Sequence, residues 1–131
     1  MSSILGSCHC GRVKWESIGD IETVVRCYCS ICRKTQGGDY GVWVVVPAKG
    51  FSILEGADHI NKYEGTNVSS KKYCSVCGTT VHCTNGNHYP GYMLLARGTI
   101  DEGNELSTKI QVYTQHKYEW IDVLKDSPAV F

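Results

Sequence analysis

Cys27-Tyr28-Cys29-Ser30-Ile31-Cys32 places three thiols within six residues, with a Tyr, a Ser and an Ile between them. Thiolate is a soft, anionic ligand that suits zinc. A C-x-C-x-x-C run can turn three sulfurs toward one ion while the fourth tetrahedral position stays open. Outward from this run, Cys8-His9-Cys10 and Cys74-Ser75-Val76-Cys77 offer four more thiols, enough for one closed tetrahedral site, and closed sites are structural. The count gives a four-cysteine site stapling distant segments, a three-cysteine site with a vacancy, and Cys83 left over. A competing count is two structural cages, the second completed by Cys83, His9 or His82.

Eight cysteines in 131 residues fit either a disulfide framework or metal held in a reducing compartment. Partners one or two positions apart make strained disulfides but good chelates, which favours metal. Residues 1–7 carry no basic stretch, and only Ile4 and Leu5 are strongly apolar after Met1, so the expectation is a cytoplasmic protein without a secretory signal. No apolar run approaches the length of a membrane span. Thirteen basic and thirteen acidic side chains cancel, which leaves no overall field to attract nucleic acid or an anionic membrane. The length fits one domain over residues 1–131.

Fourteen glycines and many β-branched or aromatic residues point to short strands. Residues 10–17 read as a strand with Val13 and Trp15 on one face. Residues 21–26 lead into the three-cysteine run, so the metal loop sits at a strand end, and residues 30–34 suit one helical turn. Thr35-Gln36-Gly37-Gly38-Asp39 reads as an irregular loop. The apolar run from Gly41 to Val46 suits a strand buried on both faces. Residues 51–54 and 59–63 read as neighbours in a meander, followed by a turn at Glu64-Gly65-Thr66-Asn67. Residues 69–73 lead to the Cys74–Cys77 knuckle. Residues 79–84 then alternate, Val81 and Cys83 facing one way, Thr80 and His82 the other. Residues 92–96 and 110–114 are further strands. The closing His116, Tyr118, Trp120, Asp126-Ser127-Pro128 and Phe131 read as an aromatic lid over one end of the sheet.

With the clusters in this order, the chain resembles the glutathione-dependent formaldehyde-activating (GFA) family, whose zinc fold is shared with the Mss-four-like proteins. The resemblance runs from Gly6-Ser7-Cys8-His9-Cys10-Gly11 through Cys27–Arg33 and Tyr73-Cys74-Ser75-Val76-Cys77-Gly78-Thr79 to the tail with His116, Trp120 and Pro128. It implies an all-β fold, a β-tent of small antiparallel sheets stapled by zinc. It also assigns Cys8, Cys10, Cys74 and Cys77 to a structural zinc and Cys27, Cys29 and Cys32 to a catalytic zinc, two ions per chain. The activity it implies is that of a carbon-sulfur lyase or synthase on thiol-aldehyde adducts such as S-hydroxymethylglutathione, with a small-molecule thiol, glutathione among the candidates, as partner.

Three thiolates on a divalent cation leave a net negative cluster, which acidifies bound water less than neutral imidazoles do. The vacancy therefore suits a fourth sulfur. His9, His82, His116, Asp39 and several tyrosines are candidates to move the proton on the aldehyde oxygen, and Arg33 and Lys34 are candidates to meet carboxylates. Two other functions compete: a non-catalytic zinc-stabilised binding module of Mss-four-like fold, and a C-x-x-C redox enzyme, the latter disfavoured because zinc masks the thiols.

Overall fold

The computed structural model describes residues 2–65 and 69–126. Thr66, Asn67, Ser127, Pro128 and Phe131, expected in a turn and in the closing tail, lie outside the described residues. In chain order the elements are β1 (Ser3–Ser7), β2 (Lys14–Ile18), β3 (Thr23–Cys27), α1 (Ser30–Gln36), β4 (Gly41–Pro47), β5 (Phe51–Glu55), β6 (Ile60–Glu64), β7 (Ser69–Cys74), β8 (Thr80–Asn85), β9 (Tyr92–Ala96) and β10 (Ile110–Val112), joined by short 3-10 turns. The expected all-β class is what the chain adopts.

β4 organises the molecule because its side chains are apolar on both sides. Trp43 and Val45 join Val25, Leu94 and Ala96 on one face, while Val44 and Val46 join Val13, Trp15, Val24 and Leu95 on the other. A strand clad on both faces belongs at a sheet centre. β4 lies between β3 and β9 in a seven-stranded sheet of order β10-β3-β4-β9-β8-β7-β6. Val44 is fully buried, and burial of this kind contributes about 1.5–3 kcal/mol per side chain over exposure. The second sheet, β1-β2-β5, lays Trp15 of β2 into the core cluster that the larger sheet shares through Val44, Val46 and Leu95. One face of the large sheet is thereby covered; its other face carries the cavity described below.

Five expectations need correction. The strand holding Val13 and Trp15 begins at Lys14 rather than at Cys10, because residues 8–13 fold as a sulfur-bearing turn in which Gly11 N–H donates to Cys8 O at 3.1 Å. The helix extends to Gln36 and closes on Gly37, whose N–H donates to Arg33 O at 2.8 Å, so Thr35 and Gln36 belong to a regular element. β5 and β6 are not partners: β5 pairs with β2 and β6 with β7, in different sheets. Finally, Val81 and Cys83 do not share a face. Lys72 pairs with His82 while Tyr73 pairs with Thr80, so one step on β7 spans two on β8, a bulge that re-aims the strand. Val81 and His82 are both buried toward the core, and Cys83 packs against the cluster of Trp43 and Leu94. The sheets are also not wholly antiparallel, since β10 runs parallel to β3.

Candidate functional site

Cys8, Cys10, Cys74 and Cys77 converge, their sulfurs all within 4.8 Å of one another. Each pair comes from a turn closed by a glycine. Gly78 N–H donates to Cys74 O at 2.8 Å, and Gly11 and Gly78 sit at φ values of +82° and +80°, where a Cβ would strain the chain. Cys8 Sγ lies 3.5 Å from Cys10 Sγ, and Cys10 Sγ lies 3.8 Å from Cys74 Sγ. Sulfurs about 2.3 Å from a tetrahedral ion are separated by about 3.8 Å, so these residues fit a metal such as zinc. Hydrogen bonds favour the anionic sulfurs. Val13 N–H donates to Cys8 Sγ at 3.3 Å. The Thr79 hydroxyl, 3.2 Å from Cys77 Sγ, leads the influences that hold the Cys77 thiol down to about 5. Residues 8 and 77 are thus brought together at one point between the two sheets' ends.

Cys27, Cys29 and Cys32 form the second set, also within 4.8 Å of one another. β3 delivers Cys27, whose backbone pairs with Gly41 on β4 and Val112 on β10. Cys29 is the N-cap of α1: its backbone is extended (φ −64°, ψ 158°), and Cys32 N–H donates to its Sγ at 3.4 Å. Sulfur here takes the place that a Ser or Asp oxygen usually fills. Between them Tyr28 is fully buried, and its hydroxyl donates to Gln111 Oε1 at 2.6 Å, tying the loop to β10. The Cys32 thiol donates toward Cys27, which lowers the Cys27 thiol to about 6 and pushes that of Cys32 strongly up. A divalent ion held by these three residues would supply, in place of that shared proton, the positive charge such a cluster needs.

The two sets differ in their surroundings. The three-cysteine set opens into a cavity of about 940 Å³. Val25, Trp43, Leu94 and Val112 give it an apolar floor, and Lys71, His88, Tyr89, Tyr113, Gln115 and His116 supply polar groups. Tyr113 OH lies 3.5 Å from His88 Nε2, and Tyr113 holds a left-handed backbone at φ 56°, uncommon for a residue with a side chain. Such positions cluster at functional sites. Cys83 also lines the cavity, with burial raising its thiol to about 12, but it is not a member of the three-sulfur set.

Of the histidines and the aspartate named from sequence, His116 alone is among the described residues lining this cavity, and of the tyrosines Tyr63, Tyr89 and Tyr113 line it too. His9 borders a smaller hollow beside the four-cysteine set, Asp39 lines neither, and His82 is buried, its ring 4.9 Å from that of Phe51. Neither Arg33 nor Lys34 lines the cavity. Arg33 donates to Tyr118 OH and lies over that ring at 4.9 Å. Within the described part of the tail, Tyr118 stacks on Trp120, and both are exposed. Sequence reasoning missed Lys71 and His88 and did not single out Tyr113 among the tyrosines. Strand pairing rather than spacing brings them to the thiols: Lys71 lies on β7 opposite Cys83 of β8, His88 follows the Asn85-Gly86-Asn87 turn, and Tyr113 follows β10, which pairs with β3.

Among the described residues no helix is long and apolar enough to cross a membrane. The fold is similar to the crystal structure of a Rhodobacter sphaeroides protein, with a TM-score of 0.65 at 22% identity, covering 82% of this chain and 99% of that one. A Halomonas elongata protein, named provisionally as a glutathione-dependent formaldehyde-activating enzyme, is 35% identical over 83 residues, 58% of this chain. The aligned stretch is 52% of that relative, so the match spans about half its length. Residues 3–116 match the family described as glutathione-dependent formaldehyde-activating enzyme, and this span contains both thiol sets and every described residue lining the cavity. The chain therefore belongs to the glutathione-dependent formaldehyde-activating enzyme family.

Proposed function

We propose that the protein is a zinc-dependent carbon-sulfur lyase or synthase acting on adducts of a thiol with an aldehyde, S-hydroxymethylglutathione being the family's example. In this reading Cys8, Cys10, Cys74 and Cys77 hold a structural zinc, and Cys27, Cys29 and Cys32 hold a catalytic one. The supporting observation is the contrast between the sets: four thiols close on themselves, whereas three stand at the floor of a cavity lined by proton-carrying side chains. Zinc at the three-thiol set supplies an open position that favours the thiolate form of a fourth sulfur.

The chain's own groups do the rest. Val25, Trp43 and Leu94 exclude water from the reacting sulfur, and Cys32 N–H keeps Cys29 oriented. In the synthetic direction the thiol gives its proton to His88, the sulfur pair forms the C–S bond, and the carbonyl pair moves to oxygen. His88 then returns that proton to the oxygen, leaving a hemithioacetal with no net gain or loss of protons. Tyr113 OH, against His88 Nε2, orients the imidazole for both transfers. The lyase direction runs the same steps backward.

We take residues 1–131 as one domain, since the four-cysteine set joins the start of the chain to β7 and the turn that follows it. Metal-held thiols call for a reducing compartment, which supports a cytoplasmic location. The test is exchange between free aldehyde and adduct, followed by NMR over a panel of thiols, with metal measured on the same sample. Acceleration over the spontaneous exchange that vanishes in Cys32→Ser is expected; a fully metal-loaded protein that accelerates no adduct contradicts the reading.

A further inference from the structure

Lys71 is the one lysine or arginine among the described residues lining the cavity, and none of those residues is an Asp or Glu. The lysine is half-buried on β7, and its ammonium donates to Thr35 O of α1 at 2.8 Å. Thr35 stands three residues beyond Cys32, about 4.5 Å along the helix axis, so the tether fixes the charge roughly one helical turn from the three-thiol set. An ammonium has three N–H donors; the carbonyl takes one, which leaves two for a ligand. Among the described residues no carboxylate lies within ion-pair distance of Lys71, although Lys14, Lys62 and Lys117 each have one. Its remaining company is the Tyr73 ring, 5.7 Å from Nζ. A tethered, partly desolvated cation with spare donors and no counter-ion is built to receive an anion.

We infer that the cavity recognises its thiol by a carboxylate held at Lys71 and does not read an ammonium on the same ligand. This rests on the reading of the cavity as the thiol-adduct site and narrows it to a chemical class, thiols that carry a carboxylate at a distance matching the span from the thiol set to Lys71. The γ-glutamyl ammonium of glutathione finds no carboxylate among the described lining residues. Glutathione is then one member of the class rather than the only fitting one. Tyr113, Asn85 and Gln115 offer neutral hydrogen-bonding groups, which orient a peptide amide but do not discriminate charge.

The test uses metal-loaded protein and calorimetric binding of three thioethers, S-methyl glutathione, its des-amino analogue and its diamide, in which both carboxylates are neutralised. The des-amino ligand is expected to bind within about twofold of the parent and the diamide about tenfold more weakly, the loss of one charge-assisted hydrogen bond. Lys71→Met keeps the methylenes and should bring acid and diamide to equal affinity, with Lys71→Arg restoring much of the difference. Equal binding of parent and diamide by wild type, a difference that survives Lys71→Met, absence of measurable binding of all three, or a tenfold loss on removing the ammonium would each overturn the inference. Because thioethers present no ionisable sulfur, a Lys71-dependent acid preference can stand even if the proposed carbon-sulfur chemistry fails in the exchange assay.

Discussion

Cys29 and Cys32 are joined twice over: the sulfur of Cys29 caps α1 by accepting from Cys32 N–H at 3.4 Å, and both sulfurs face the same point beside Cys27. Helix geometry and ligand geometry are therefore one constraint. The C-x-x-C spacing works here because an N-cap and the third helical residue lie on the same side of the first turn.

Substituting Cys29 separates the two roles. Cys29→Ser retains an oxygen able to cap α1, whereas Cys29→Ala removes ligand and cap together. Both variants should lose the metal of the three-thiol set. With metal absent from that set in all samples, the Ala variant should be about 1 kcal/mol less stable than the Ser variant in denaturant unfolding. Equal stability would show that the cap contributes nothing.

Metal removal should be biphasic. In the proposed reading the four-thiol set would enclose its ion with protein sulfur, whereas the three-thiol set, which lines the cavity, would leave a position that a chelator can reach. Under mild chelation the ion beside Cys32 should leave first with the fold intact. Cys77→Ser should unfold or aggregate, since structural zinc contributes an apparent ~10 kcal/mol or more in small zinc domains, while Cys32→Ser should fold and lose activity. Equal melting temperatures for the two variants, or both ions lost together with the fold, contradict the assignment.

Gly41 lets α1 approach β4. A Cβ there would stand 2.9 Å from Trp43 Nε1 and 3.2 Å from Cys32 Cβ, so Gly41→Ala must displace a ligand-bearing residue. A destabilisation of about 1–3 kcal/mol is expected, together with weaker metal retention at the three-thiol set alone. Unchanged metal affinity at that set in a folded Gly41→Ala protein would show that Cys32 tolerates the crowding.

The central strand and the thiol clusters were legible in the chain because each is written in contiguous residues: the run Gly41–Val46 is apolar throughout, and C-x-C-x-x-C is a local chelate. Partner choice was not. Residues 51–55 and 60–64 look like a hairpin, but the knuckle at Cys74–Gly78 captures the start of β6, with Ser75 N–H donating to His59 O at 2.8 Å, and so delivers that strand to β7. The bulge opposite Lys72 and Tyr73 likewise breaks an alternation that the sequence displays cleanly, burying His82 and turning Cys83 to the cavity. Lys71, His88 and Tyr113 come together only through pairing of distant strands, which no spacing encodes.

His82 gives a pH dependence of defined sign. Burial, with a smaller contribution from Lys72, lowers its imidazole from 6.5 to about 4, and Nδ1 has no hydrogen-bond partner among the described residues. Between those values the unfolded chain binds a proton that the folded one refuses, so stability falls as pH falls through that window, by up to about 3 kcal/mol, and is fully present above it. Ring-proton NMR should show His82 neutral well below the ordinary histidine range; a midpoint at the ordinary value would show that the ring is solvated.

The most direct measurement of the central claim is the sulfur-to-cobalt charge-transfer band of protein in which cobalt replaces zinc. Cobalt at the three-thiol set has three protein sulfurs, and that at the four-thiol set is already saturated with sulfur, so only the former can gain a ligand. Adding glutathione should raise the band, S-methyl glutathione should raise it far less, and Cys83→Ser should leave the response in place. A glutathione response absent from wild type, or a resting band that falls on Cys83→Ser because Cys83 already fills the fourth position, would contradict the account.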